Sequence, residues 1–216
     1  MSEPGQPQPG SRQIAQLRSQ RDRMLSGEPY RADDPELVAD RQACQRLLEV
    51  FNASPAGDER SQTVLHQLFG SLGEGSVILP RLQCDYGAQI AVGAGCFINY
   101  DAILLDCASI TIGDHVSIGP RAQLVTALHP VDDPEARRAG WESAAPIVLG
   151  DNVWLAAGVI VCPGVTVGAD SVIGAGSVVI GDIPAGVLAA GNPCRTIREL
   201  DGAQTPDVEQ PDSSPS

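Results

Sequence analysis

No apolar run in this chain approaches the eighteen or so residues that a membrane-crossing helix needs, although 43% of its 216 residues are hydrophobic. The expected class is therefore a soluble globular protein with one main domain. An apolar leader core is missing as well: the opening MSEPGQPQPGS is polar, proline-rich and reads as disordered, so the cytoplasm is the expected compartment. There is no basic excess. A formal net charge of −13 argues against nucleic acid or an anionic membrane as partner, since both need a basic face. Cys44, Cys84, Cys96, Cys107, Cys162 and Cys194 show no CxxC or Cys/His ligand spacing. Most are expected to be small apolar fillers, and no metal is expected. Histidine is scarce, at three residues, which narrows the search for a base that works near neutral pH.

What is present is a repeat. In LGDNVWLAAGVIVCPGVTVGADSVIGAGSVVIGDIP, the positions Leu149, Leu155, Val161, Val167, Ile173 and Val179 recur every six residues. Gly150, Gly168 and Gly174 follow directly behind three of them, and Val153, Val159, Val165, Ser171 and Ser177 stand four places on. A period of six fits neither an amphipathic helix nor an alternating strand, so the unit is a short strand plus a turn stacked on copies of itself. Upstream, Val92, Ile98 and Leu104 share one frame and Ile112, Ile118 and Leu124 another, with two extra residues between them. The twenty-five residues from Leu124 to Leu149 break the frame, and 127–146 is expected to be a projecting loop. The pattern is that of a parallel β-helix over 73–200.

Residues 12–72 read instead as helix. Ile14, Leu17, Met24 and Leu25 suit one amphipathic helix ending near Gly27; Leu37, Cys44, Leu47, Leu48 and Phe51 suit a second, entered through Asp33-Asp34-Pro35; Val64, Leu65, Leu68 and Phe69 suit a third. A small helical cap over one open end of the coil is expected, since a solenoid's end needs cover. The tail 201–216 has no periodicity and reads as disordered and acidic.

SGEPYRADDPEL, CDYG, NYDAILLD, LHPVD, GDNVWLAAGVIVCPGVTVGADSVIGAGSVV and GNPCRTI, in that order, resemble the maltose and galactoside O-acetyltransferases, the sugar branch of the hexapeptide acyltransferases. The match runs from Met24 to Leu200. It implies a mainly β fold, a left-handed parallel β-helix of hexapeptide repeats with a small N-terminal helical cap, assembled as a homotrimer. Acetyl-CoA would lie in the groove between neighbouring coils, with each active site shared by two subunits.

Moving an acetyl group to a hydroxyl needs a base, because an alcohol is barely ionised at pH 7. His66 lies in the third helix and His115 in a coil turn, where a surface or satisfied role is expected. The resemblance implies His129, in HPVD, as the base, with Glu142 orienting its second ring nitrogen and Asn99 near it on the acceptor side. It implies Asp85 in CDYG as an acceptor contact. A further family Asp from the cap aligns with Ala32, which brings the neighbouring Asp33 and Asp34 into consideration, although helix capping also explains them. For the cofactor it implies Trp154 along the groove, the Ala157 backbone N–H as oxyanion donor, Ala175 lining the pantetheine channel, and Arg195 and Arg198 near the CoA phosphates. A Thr-Lys pair of the family is Ile180-Gly181 here, and the family often has Ser at Ala157.

The expected activity is direct transfer of acetyl from acetyl-CoA to a sugar or sugar-like hydroxyl. An antibiotic hydroxyl, an amine or serine as acceptor, and a non-catalytic scaffold, remain alternatives. A γ-type carbonic anhydrase on the same coil would need three His ligands, which His66, His115 and His129 are poorly spaced to supply.

Overall fold

A computed structural model describes residues 18–55 and 57–202. The readings for residues 1–11, for Ile14 and Leu17, and for the tail beyond 202 fall outside the described residues. Three stacks of short parallel strands form the faces of a prism. The first face carries Ser71–Leu72, Ile90–Val92, Ile110–Ile112, Ile147–Leu149 and Thr166–Val167. The second carries Val77–Ile78, Phe97–Ile98, Ser117–Ile118, Trp154–Leu155, Val172–Ile173 and Val187–Gly191, edged by the antiparallel Cys194–Glu199. The third carries Gln83–Cys84, Ile103–Leu105, Gln123–Val125, Ile160–Val161 and Val178–Val179.

The six-residue register is the core. Val92, Ile112, Leu149 and Val167 pair in one column, Ile78, Ile98, Ile118, Leu155 and Ile173 in the second, and Cys84, Leu104, Leu124, Val161 and Val179 in the third. All these side chains are buried. Backbone bonds between coils satisfy the strands, and small residues let the corners approach: a Cβ on Gly150 would stand 2.6 Å from the Ala169 nitrogen. Ser171 and Ser177 are buried yet bonded, to the carbonyls of Pro184 and Gly174.

Every departure from the register falls at one corner. From the third face to the first the chain takes six residues between Val161 and Val167, but eight between Cys84 and Val92, eight between Leu104 and Ile112, and twenty-five between Leu124 and Leu149. The longest insertion is not an irregular loop. Ala127–Leu128 and Trp141–Ala144 form an antiparallel hairpin, and Tyr30–Arg31 of the cap pairs with the second strand to make a three-stranded sheet.

The cap comprises helices α1 (Gln20–Leu25), α2 (Pro35–Ala53) and α3 (Glu59–Leu68). Asp34 and Asp58 cap the second and third by accepting the Glu36 and Arg60 N–H groups, and Pro35 suits the first turn, where its missing donor costs nothing. Leu37, Cys44, Leu48 and Phe51 form the buried stripe of α2. Asn52 clamps the cap to the first coil, donating to the Leu82 carbonyl and accepting the Leu82 N–H, both at 2.8 Å. A short helix α4 (Pro134–Arg138), capped by Asp133, crosses the hairpin tip. Among the described residues no helix is long and apolar enough to cross a membrane. Leu155 is held between Ile118 and Ile173; Leu155→Ala should cost about 2–5 kcal/mol in urea unfolding, and a loss under about 1 kcal/mol would mean that the column closes over the void.

Candidate active site

The corner that collects the insertions also collects titratable side chains. A cavity of about 250 Å³ is lined by Ala32 and Arg41 of the cap, Asp85, Tyr86 and Cys107 of the two shorter corners, and Ala127 and Glu142 of the hairpin. Asp106, fully buried, organises its floor: one carboxylate oxygen accepts the Asp85 and Tyr86 N–H groups at 3.0 and 2.9 Å, and the other accepts that of Gln89 at 3.3 Å. Burial outweighs these bonds and pushes the Asp106 carboxyl up to about 6.

Asp85 faces the cavity. Burial raises its pKa, against the Cys107 thiol, which donates to Oδ2 at 3.5 Å, and the Arg41 guanidinium. Cys107 is itself pushed up to about 12, mainly by burial, and stays a thiol near neutral pH. Arg41 donates to the Tyr86 hydroxyl at 2.7 Å and the Ala32 carbonyl at 2.6 Å, with its guanidinium over the Tyr86 ring. At the mouth, His129 follows the first hairpin strand and Glu142 lies in the second; His129 Nδ1 stands 4.0 Å from Glu142 Oε1, and the Tyr30 hydroxyl donates to Oε2 at 3.1 Å. His129 is exposed, whereas Glu142 is mostly covered.

Asp34 is taken up as the α2 cap, and Asp33 pairs with Arg31 at 2.9 Å on the exposed side. Ala32 is the member of that run that lines the cavity. His66 is exposed on α3, and His115 sits in a first-to-second corner with φ 57°. Neither is near the cavity lining.

The remaining candidates stand elsewhere. Asn99, Ala157 and Ala175 lie along the corner between the second and third faces, Ala157 and Ala175 on adjacent coils and Asn99 two coils from Ala157. A groove of about 490 Å³ there is lined by Tyr100, Asp101, Pro120, Arg121, Ala157 and Gly158. Asp101 grips Arg81 through both carboxylate oxygens, at 2.7 and 3.0 Å. The Ala157 carbonyl accepts the Gly176 N–H, while its own N–H meets no carbonyl among the described residues. Trp154 points out of the second face, 52% exposed, so it is not a core residue. Arg195 and Arg198 lie exposed on the last strand, and Arg195 borders a second recess of about 370 Å³ with Ile180 and Gly181. Within one chain, then, Asn99 does not meet His129: the third face separates their corners.

The descriptions of two family models fit this architecture. Residues 23–73 match the maltose acetyltransferase hexapeptide capping motif, and residues 146–181 match the bacterial transferase hexapeptide of six repeats. Galactoside O-acetyltransferase of Escherichia coli is 41% identical over 155 residues, covering 71% of this chain and 76% of that protein. The chain belongs to the maltose and galactoside O-acetyltransferase family. The crystal structure of a maltose O-acetyltransferase from Clostridium difficile superposes on this acetyltransferase with a TM-score of 0.83 at 45% identity, covering 85% of this chain and 98% of that one. A hexapeptide-repeat acetyltransferase of Vibrio cholerae, solved with acetyl-coenzyme A, superposes with a TM-score of 0.79 at 40% identity, covering 85% and 100%.

Sequence reasoning passed over Tyr30, Arg41 and Cys107 of this acetyltransferase. Tyr30 lies in the quoted run SGEPYRADDPEL, but only pairing across the fold gives its hydroxyl a partner; Cys107, read as a filler, donates to Asp85. Among the described residues no group of three His, Cys, Asp or Glu side chains is arranged to hold a metal ion. The buried Asp106 makes stability depend on pH. Because its folded carboxyl holds its proton more tightly than an unfolded one, its contribution is complete below about pH 4 and is lost as pH rises through about 6. Asp106→Asn carries no such loss, so it should gain on the parent by about 2–3 kcal/mol between pH 4 and pH 7. Urea unfolding at both values checks this, and a difference that does not move with pH would contradict it.

Proposed function

We propose that the chain is an acetyl-CoA-dependent enzyme that moves an acetyl group directly to a hydroxyl of a sugar or sugar-like acceptor, working as a cytoplasmic homotrimer. The observation that carries this is the division of the site. The exposed imidazole and its carboxylate stand at the third-to-first corner, and the groove with the unengaged Ala157 N–H stands at the second-to-third corner. A second copy that brings its groove against the hairpin of the first completes a site that neither chain holds alone. Acetyl-coenzyme A in the Vibrio cholerae relative and the galactoside and maltose names of the others support the donor and acceptor.

In this reading the acceptor hydroxyl lies between Asp85 and His129. His129 removes its proton as the oxygen attacks the thioester carbonyl; Glu142, on the Nδ1 side, holds the ring tautomer and steadies the imidazolium. The Ala157 N–H of the neighbouring copy meets the oxyanion, and Asn99, two coils away along the same corner, serves the acceptor side. The carbon–sulfur bond breaks, and the CoA thiolate takes the proton back from the imidazolium. Trp154 and Ala175 line the pantetheine path, and Arg195 and Arg198 offer guanidinium forks to the phosphates. Ile180 and Gly181 supply no cation there, so the two arginines carry the phosphate contact. Asp33 and Asp34, engaged with Arg31 and the helix N-terminus, have no part in this reading.

His129→Ala should lower kcat by roughly 10² to 10⁴ with acetyl-CoA affinity kept, read as thiol release over a panel of sugars, amino sugars, chloramphenicol and serine; near-full rate would remove His129 as base. Sedimentation should give three copies. Co-expression of His129→Ala with Asn99→Ala chains should restore part of the activity that each lacks alone, since mixed assemblies contain interfaces with both residues intact. Lack of any recovery in verified mixed trimers would mean that each site draws both residues from one chain, and would overturn the shared site.

A further inference from the structure

The sheet that joins cap to hairpin has a register with a chemical consequence. Tyr30 is paired directly with Glu142, and Leu128 with Ser143 on the other side of the same central strand. Carrying that register on by one residue sets His129 opposite Glu142. Tyr30, Glu142 and His129 therefore form a row across three strands, and directly opposed residues of an antiparallel pair share one face of the sheet.

We infer that Tyr30 is a positioning residue for the transfer reaction: its hydroxyl holds one oxygen of Glu142 so that the other faces His129. The inference rests on the reading of His129 as base. Four observations support it. Tyr30 is fully buried among Met24, Leu37, Cys107 and Ala144, so its ring is fixed. Its hydroxyl donates to Glu142 Oε2 at 3.1 Å across 112 residues of chain, while Glu142 Oε1 is the oxygen toward His129 Nδ1. The Cys107 thiol lies against the same hydroxyl and donates onward to Asp85. Burial, reinforced by Cys107 and Glu142, keeps the phenol from ionising, so it is a donor at any working pH.

Without that hydroxyl the Glu142 side chain would sample several rotamers, and a base whose partner wanders loses the tautomer it needs. The cap thus does more than close the coil: it inserts one hydroxyl behind the catalytic hairpin. The carboxylate is pinned by a residue whose own position is set by the core.

The experiment measures kcat and both KM values for the full-length assembly carrying Tyr30→Phe, Glu142→Ala and the pair. Tyr30→Phe keeps the ring and removes the donor, so kcat should fall about tenfold with KM for acetyl-CoA within about twofold. In the Glu142→Ala background the same change should alter kcat less than about twofold, because the group it positions is gone. An unchanged kcat in Tyr30→Phe, a loss confined to KM, or losses that multiply in the pair would each overturn the inference. Glu142→Asp, which keeps the charge but draws it back from the Tyr30 hydroxyl, gives a second reading that leaves the cap untouched; it should lose about as much as Tyr30→Phe, and full activity would count against positioning. His129→Ala separates the two levels. If that variant stays active, the base reading falls and takes this inference with it; if it is inactive while the Tyr30 and Glu142 effects multiply, only the positioning role falls.

Discussion

Everything in this molecule depends on an interval of six residues between aliphatic side chains that must stack on the coil below. Each coil is hydrogen-bonded to its neighbours on all three faces, and each interior position is buried between the one above and the one below. A single added residue inside a face would turn its side chains inside out and break three ladders at once. Extra chain can therefore leave the prism only at a corner. In this protein all of it leaves at the same corner, through CDYG, through the turn at Asp106 and through the hairpin that carries His129 and Glu142. The rigid register thus decides where variable chemistry can be placed.

That corner gathers groups that water would otherwise screen. Asp106 is the buried fastening that holds two successive corners together through backbone N–H groups, and Asp85 rides on the turn it organises. The cap adds Tyr30 and Arg41 from outside. Cap, coil and hairpin share one small apolar cluster around Tyr30, Tyr86, Cys107 and Ala144, so the helices cannot shift without moving the site.

The coil was legible because its signal is local: one aliphatic position in six repeats along the chain, and burial follows from it. Asp34 as a helix cap was legible on the same ground, from Asp-Asp-Pro. The hairpin reads in sequence as a loop because strands of two and four residues leave no period to detect, and because their third partner, Tyr30, lies far away along the chain. Cys107 reads as a filler because it has no CxxC or Cys/His spacing; its contact with Asp85 arises only when two coils stack.

Sequence alone determined the stacked coil, the helical cap at one end, and the residue types from which a base, a carboxylate partner and a donor groove could be drawn, because repeat spacing and helix periodicity are written in adjacent residues. Tertiary structure decided which of those residues meet. It placed Tyr30 behind Glu142, set Ala32 rather than Asp33 or Asp34 on the cavity wall, and put Asn99 and His129 on different corners of one chain. The reason is geometric: contact across a corner depends on how many residues each turn inserts and on the register with which distant strands pair, and neither is a property of any local stretch.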